Sequence, residues 1–228
     1  MTNPWLSVPL ADYEAHMRSP AVQQLDTLAE LFGEVLKIKT PSSVAILGIA
    51  GGNGLDRVDP KTSRRIVGVD IHPEYLNAVR ERYSHVSNVE LIETDLSQDT
   101  VNIQPVELVH AALLFEHAGT SCCLENALRM VAPGGSLSVV LQLPSTADQA
   151  VGSSDVASVT RFAGHFVFVD PEEFSGKLVE RGFRKTYERT LEVASGKAFR
   201  LVIFDQSGVS VSGQTVVNRR RNDQRQHH

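Results

Sequence analysis

The 228-residue chain is 42% hydrophobic and 21% charged, with a formal charge of −5 at pH 7; this is the composition of an ordinary globular protein with enough chain for one full core. Its mild acidity offers no basic footprint for nucleic-acid phosphates, and no apolar run approaches the length that crosses a bilayer. Pro4, Pro9 and Asp12 interrupt the N-terminus where a secretory leader needs an unbroken apolar stretch, so the expectation is a cytoplasmic protein with neither a nucleic-acid nor a membrane partner.

Residues 1–40 read as an N-terminal helical cap. Trp5, Leu6, Tyr13, His16 and Met17 are residue types that line small-molecule pockets, and they serve either as a cover for the core or as a lid. Ser19 can cap a helix with Pro20 at its first position, and Val22, Leu25, Leu28, Phe32, Val35 and Leu36 recur at helical spacing. A single domain then spans 41–206. The apolar run Ser43 to Leu47 enters a turn of small residues, Gly48 to Gly54, and Asp59-Pro60 cuts the following helix short. A second apolar run, Arg65 to Asp70, ends in a carboxylate placed to accept two hydrogen bonds from a ribose diol. Small residues in such a turn let the backbone touch a ligand whose volume a Cβ would occupy.

Pro73 opens a helix with Tyr75, Leu76, Val79 and Tyr83 on one face. The strand Val89 to Asp95 ends in a second acid, and the apolar run Val106 to Leu114 leads into Phe115-Glu116-His117. Cys122 and Cys123 are adjacent, which suits neither a disulfide framework nor a zinc site, so no metal is expected. Pro133-Gly134-Gly135 turns into the strand Ser136 to Leu143. A loop or short helix is expected over 144–164, and Asp170-Pro171-Glu172-Glu173 starts a helix that Arg181-Gly182 ends. Phe183 to Val193 and Lys197 to Phe204 form an antiparallel hairpin, and 207–228 reads as a disordered tail.

A dinucleotide fingerprint requires a third small residue where this chain has Arg57, which argues against a nicotinamide-dependent oxidoreductase. The segment instead resembles the first motif of class I S-adenosylmethionine-dependent methyltransferases: Ala50, Gly52 and Gly54 match its three glycines, and Gly48 stands where the family carries an acid. The later runs resemble the family's fourth strand, its Pro-Gly-Gly turn and its fifth strand, in the same order. The resemblance implies an α/β, Rossmann-like fold: a seven-stranded, mostly parallel sheet with helices on both faces and an antiparallel C-terminal hairpin strand. The cofactor would be S-adenosylmethionine and the product S-adenosylhomocysteine, held by Gly48, Ala50, Gly51, Gly52, Asn53, Gly54, Asp70, Ile71, Asp95 and Leu96, with Asp95 at the adenine amino group. It further implies His117 as a general base with Glu116 beside it, while Tyr13, His16 and His165 are candidates for the acceptor, with Arg161, Phe162 and Phe166 nearby.

The fourth strand carries Ala111-Ala112-Leu113-Leu114 in place of an Asn-Pro-Pro-Tyr or Asp-Pro-Pro-Tyr motif, which disfavours exocyclic-amine methylation. There is no Pro-Cys nucleophile, and no acid at that strand end to hold magnesium, so a small organic acceptor is the expectation. The missing acid at Gly48 keeps a second reading open, a methyltransferase-like protein that binds the nucleoside without catalysis.

Overall fold

Runs of β-branched and aliphatic residues make the strands, and the helices between them carry one apolar stripe each, so every crossover can bury a helix against the sheet. The computed structural model describes residues 3–144 and 166–207. Nearly all of the expected loop at 144–164, the candidates Arg161, Phe162 and His165, and the tail beyond residue 207 lie outside the described residues.

The strands are β1 Ser43–Leu47, β2 Arg65–Asp70, β3 Val89–Glu93, β4 Val106–Ala112, β5 Val131–Leu143, β6 Phe183–Glu192 and β7 Ala198–Gln206. They form one sheet in the order β3-β2-β1-β4-β5-β7-β6. The first five are parallel, and β7 runs antiparallel to both β5 and β6. The chain moves outward from β1 to β3 and then returns to lay β4 beside β1, which opens a crevice at the carboxyl ends of those two strands.

On one face, α2 (Gln24–Lys39) and α3 (Pro73–Arg82) pack Leu28, Phe32, Val35, Leu76 and Val79 against β1, β2 and β4. On the other, α5 (Cys122–Met130) and α6 (Pro171–Val179) bury Cys123, Leu124, Met130, Phe174 and Leu178. The short α4 (Phe115–Ala118) follows β4 directly. Asp170 caps α6, accepting from the N–H groups of Glu172 and Glu173. The first crossover is reduced to a 3₁₀ turn at Leu55–Arg57, as Asp59-Pro60 implied.

Two local expectations change. The helix expected from Ser19 starts at Gln24, because Ser19 closes a separate helix, α1 (Leu10–Arg18), and its carbonyl accepts from the N–H groups of Val22 and Gln23 in the turn between the two. Leu31 and Val35 on the helix of residues 24–39 are wholly buried. The Pro-Gly-Gly segment lies inside β5, where the pairing with β4 slips between Val131 and Ser136. A Cβ at Gly135 would come within 2.8 Å of the Glu107 carbonyl, so this close approach of backbones requires glycine.

Candidate active site

A cleft of about 1120 Å³, counting its open mouth, runs along the carboxyl edge of the sheet from the end of β3 to the start of β7. Its first half is walled by Gly48, Ala50, Asp70, Ile71, Asp95 and Leu96, and its second by Leu113, Leu114, His117, Gln142 and Lys197. Trp5, Tyr13 and His16 come in from the N-terminal segment.

Asp70 is the hinge of the first half. Its Oδ2 accepts from the Ala50 N–H at 2.8 Å and its Oδ1 from the His72 N–H at 2.9 Å, so the carboxylate ties the turn after β1 to the end of β2. Burial pushes its pKa up, against the pull of those N–H groups. Ala50 lies at φ 48°, a left-handed conformation that a side chain tolerates at some cost, and its N–H bond to Asp70 helps hold it there. His72 stacks on Tyr75 with ring centroids 4.2 Å apart, and its buried Nδ1 has no hydrogen-bond partner among the described residues. Asp95 accepts from the Ser97 N–H and hydroxyl through Oδ1 and from the Asn3 amide through Oδ2. Burial alone would raise its pKa; the Ser97 and Asn3 donors outweigh that and hold it below the ordinary carboxylate value.

The remaining glycines of the turn serve a different purpose from the one expected. Gly51, Gly52, Asn53 and Gly54 do not border the cleft. A Cβ at Gly51 would stand 2.5 Å from Glu14 Oε1, and one at Gly52 2.5 Å from Tyr83 Cε2. At Gly54 a Cβ would approach Phe32 to 3.1 Å. Asn53 donates to the Leu25 carbonyl at 2.9 Å. These positions are small so that helices α1, α2 and α3 can close on the turn, and only Gly48 and Ala50 present backbone to the cleft.

His117 faces the second half, edge-on to Trp5 at 4.9 Å and to Phe166 at 5.2 Å between ring centroids. Glu116 does not face it. Its side chain is turned into the protein, 2% exposed, where Oε1 accepts from the Gln142 N–H at 2.8 Å and Oε2 has no partner among the described residues. Burial pushes this carboxyl up to about 7. A helical turn separates consecutive side chains by about 100°, which is why two adjacent candidates cannot both look into the cleft. Tyr13 and His16 also line the cleft; burial and nearby Asp70 push the Tyr13 phenol up, and burial followed by the charge of Lys197 pushes His16 down.

Sequence reasoning missed His72, Gln24, Gln142 and Lys197, all of which border the cleft. Gln142 carried a signal, because it continues on β5 the row of Ser138 and Val140, where an apolar residue would ordinarily fall. Lys197 carried none, since a lysine beside a hairpin glycine is ordinarily solvated. Among the described residues, no group of three or more His, Cys, Asp or Glu side chains is placed to hold a metal, and no helix is long and apolar enough to cross a membrane.

Residues 44–135 match the family model of a methyltransferase domain, from the start of β1 through the Pro-Gly-Gly segment. Over that stretch the chain is similar to a methyltransferase domain. S-adenosylmethionine is the cofactor of such a domain, and its class I architecture is the sheet described above. Beyond residues 44–135, the chain shares its fold with several solved structures. It is similar to the N-methyltransferase NodS of Bradyrhizobium japonicum WM9 in complex with S-adenosyl-L-homocysteine, with 18% identity over 90% of this chain and 99% of that one and a TM-score of 0.66. The magnesium protoporphyrin IX methyltransferase ChlM of Synechocystis PCC 6803, with bound S-adenosylhomocysteine, shares 13% identity over 81% of this chain and 82% of that one at a TM-score of 0.58. The [4+2]-cyclase SpnF shares 12% identity over 82% of each chain at a TM-score of 0.62. None of the curated proteins matches this sequence.

Proposed function

We propose that this cleft transfers the methyl group of S-adenosylmethionine to a small organic acceptor, leaving S-adenosylhomocysteine. The observation that carries the reading is the pair of carboxylates Asp70, the last residue of β2, and Asp95, just past the end of neighbouring β3, with a histidine beyond the end of β4 at the other side of the switch point. A ribose diol needs an acceptor such as Asp70, whose two oxygens have more lone pairs than the Ala50 and His72 N–H groups use. His72 Nδ1, buried and without a partner among the described residues, supplies a further polar atom beside it. Asp95 would take the adenine amino group between the apolar walls of Ile71 and Leu96.

When bound, the cofactor supplies a methyl carbon on a positively charged sulfur, a leaving group that needs no acid. What the protein must add is alignment of the acceptor lone pair and, for a hydroxyl, thiol or ammonium, a place for the proton. His117 is the base in this reading. Trp5 and Phe166 hold its ring edge-on, and Glu116 acts one step back by fixing the Gln142 backbone. Calorimetric titration with S-adenosylmethionine and S-adenosylhomocysteine tests the reading: micromolar binding supports it, and binding of neither overturns it.

A second reading, nucleoside binding without transfer, is favoured by Gly48, which leaves no carboxylate at the end of β1. Formation of S-adenosylhomocysteine with any member of an acceptor panel rejects it.

A further inference from the structure

A row of rings runs along the second half of the cleft. His117 stands between Trp5 and Phe166, with ring centroids 4.9 Å and 5.2 Å away and planes crossing at 89° and 78°. The row continues at both ends: Tyr13 lies 6.0 Å from Trp5 at 75°, and Phe168 lies 5.2 Å from Phe166 at 84°. Both ends are tied to the body of the protein, because the Tyr75 hydroxyl donates to the Val8 carbonyl at 2.9 Å and the Val167 N–H donates to the Glu116 carbonyl at 2.9 Å. Met17, Leu28, Leu113 and Leu114 add aliphatic surface to the cleft. Perpendicular rings alternate negative faces with positive edges, a pattern that a further ring matches and a saturated skeleton does not. Cages that recognise an ammonium gather ring faces around one open position. Here the position between Trp5 and Phe166 is filled by the His117 imidazole, and among the described residues the carboxylates that line the cleft, Asp70 and Asp95, both border the first half.

Resting on the methyl-transfer reading above, we infer that the acceptor is a phenol, its aromatic ring against Trp5 and Phe166 and its hydroxyl toward His117. The phenol oxygen forms its bond to the methyl carbon as the carbon–sulfur bond breaks, and the electron pair of that bond stays on sulfur. The hydroxyl proton goes to the His117 imidazole, which later releases it to water. The products are an aryl methyl ether, S-adenosylhomocysteine and one proton. A phenol enters without a charge to desolvate, and its proton is acidic enough for an imidazole to take as the oxygen is alkylated, which that of an aliphatic hydroxyl is not.

The test is calorimetry on the protein loaded with S-adenosylhomocysteine. Substituted phenols and naphthols are titrated beside the saturated alcohol and the arylmethylammonium of the same skeleton. The expected result is that the phenol or naphthol binds at least about tenfold more tightly than either counterpart, the scale of two ring contacts. Phe166→Leu keeps an apolar side chain and removes one ring, so it should lose about threefold of the preference over the saturated alcohol while S-adenosylhomocysteine binds as it does to wild type. With S-adenosylmethionine in place of the product, the bound phenol should be converted to its methyl ether in step with S-adenosylhomocysteine. Any of five results overturns the inference: alcohol and phenol binding equally, the ammonium binding more tightly, no phenol binding to the loaded wild type, a phenol that binds and is not methylated, or a preference undiminished in Phe166→Leu. The wild-type comparisons decide the matter even if Phe166→Leu does not fold. Failure of wild type to bind S-adenosylhomocysteine at all is a different result, and it strikes the methyl-transfer reading itself.

Discussion

Asp70 does two jobs with one carboxylate. It is offered to the cleft, yet it already accepts from the Ala50 and His72 N–H groups, so its removal leaves two buried donors unpaired. We expect Asp70→Ala to lower unfolding free energy by about 2 to 4 kcal/mol in a denaturant titration and S-adenosylhomocysteine affinity by at least about tenfold. Loss of affinity at full stability would show that the two N–H groups find other acceptors. Gly52 is a second residue whose sequence role and structural role diverge. At φ 90°, with the Tyr83 ring in the way and the Tyr83 hydroxyl donating to its carbonyl at 3.0 Å, Gly52→Val should cost stability before it costs binding. A loss of about 2 to 4 kcal/mol in the ligand-free protein is the expected result, from backbone strain and the displaced ring. Glu116 supplies a pH dependence. Its carboxyl titrates near 4.5 when unfolded and about 7 when folded, so the folded state holds the proton more tightly. The stability this gives is full below about pH 4.5 and is lost as the pH rises through 7, about 3 kcal/mol in all. Glu116→Gln keeps an oxygen for the Gln142 N–H and removes the titration, so its stability relative to wild type should rise between pH 5 and pH 8 and stay level above that.

Among the elements, the N-terminal segment decides how the cleft is covered. Four tethers hold residues 3–18: Asn3 donates to Asp95, the Tyr75 hydroxyl donates to the Val8 carbonyl at 2.9 Å, Glu14 pairs with Arg82, and Trp5 stands edge-on to His117. Two of these partners, Asp95 and His117, belong to the proposed cofactor and acceptor positions, so the strap and the bound molecules are linked. Tyr75→Phe leaves a buried carbonyl unpaired and should speed amide hydrogen exchange over residues 3–18 while leaving the β1 and β4 amides as they are. The β1-turn-β2 unit, the capped α6 and the β6–β7 hairpin were legible in the sequence because each is specified locally, by an apolar run of strand length, an Asp-Pro-Glu-Glu cap or a glycine turn. The strap, the start of α2 and the orientation of Gly51 to Gly54 were not, because they depend on which distant side chains arrive. Val22 and Leu25 keep helical spacing straight through the Ser19–Gln23 turn, so periodicity alone runs the helix too far back. Nothing in a Gly-Gly-Asn-Gly string tells whether its open side meets a ligand or Tyr83.

At the scale of the whole molecule, the sheet order and switch point set where a ligand binds, and they leave the chemistry to the groups along the edge. The similarity to NodS, ChlM and the cyclase SpnF at 12 to 18% identity bears on that sheet alone, so the choice among functions falls to ligand binding by this chain. Nicotinamide dinucleotides and S-adenosyl nucleosides compete for the same crevice in open α/β sheets, and the turn discriminates between them. Here the position that a dinucleotide fingerprint keeps small is Arg57, in a 3₁₀ turn at the surface, and the crossover has no full helix whose N-terminus could face a pyrophosphate. S-adenosylhomocysteine at a hundredfold excess over its dissociation constant should therefore stabilise the folded protein by about 2.7 kcal/mol, a rise of about 5 to 10 °C in melting temperature for a chain of this size. NAD at the same concentration should leave the melting temperature unchanged. Asp70→Ala should reduce the rise given by S-adenosylhomocysteine, whereas Lys197→Gln should leave it intact, because these two residues face opposite halves of the cleft. A rise with NAD equal to that with the homocysteine nucleoside would mean that the edge recognises adenosine alone, and would remove the sulfur-bearing end of the cofactor from the account of this site.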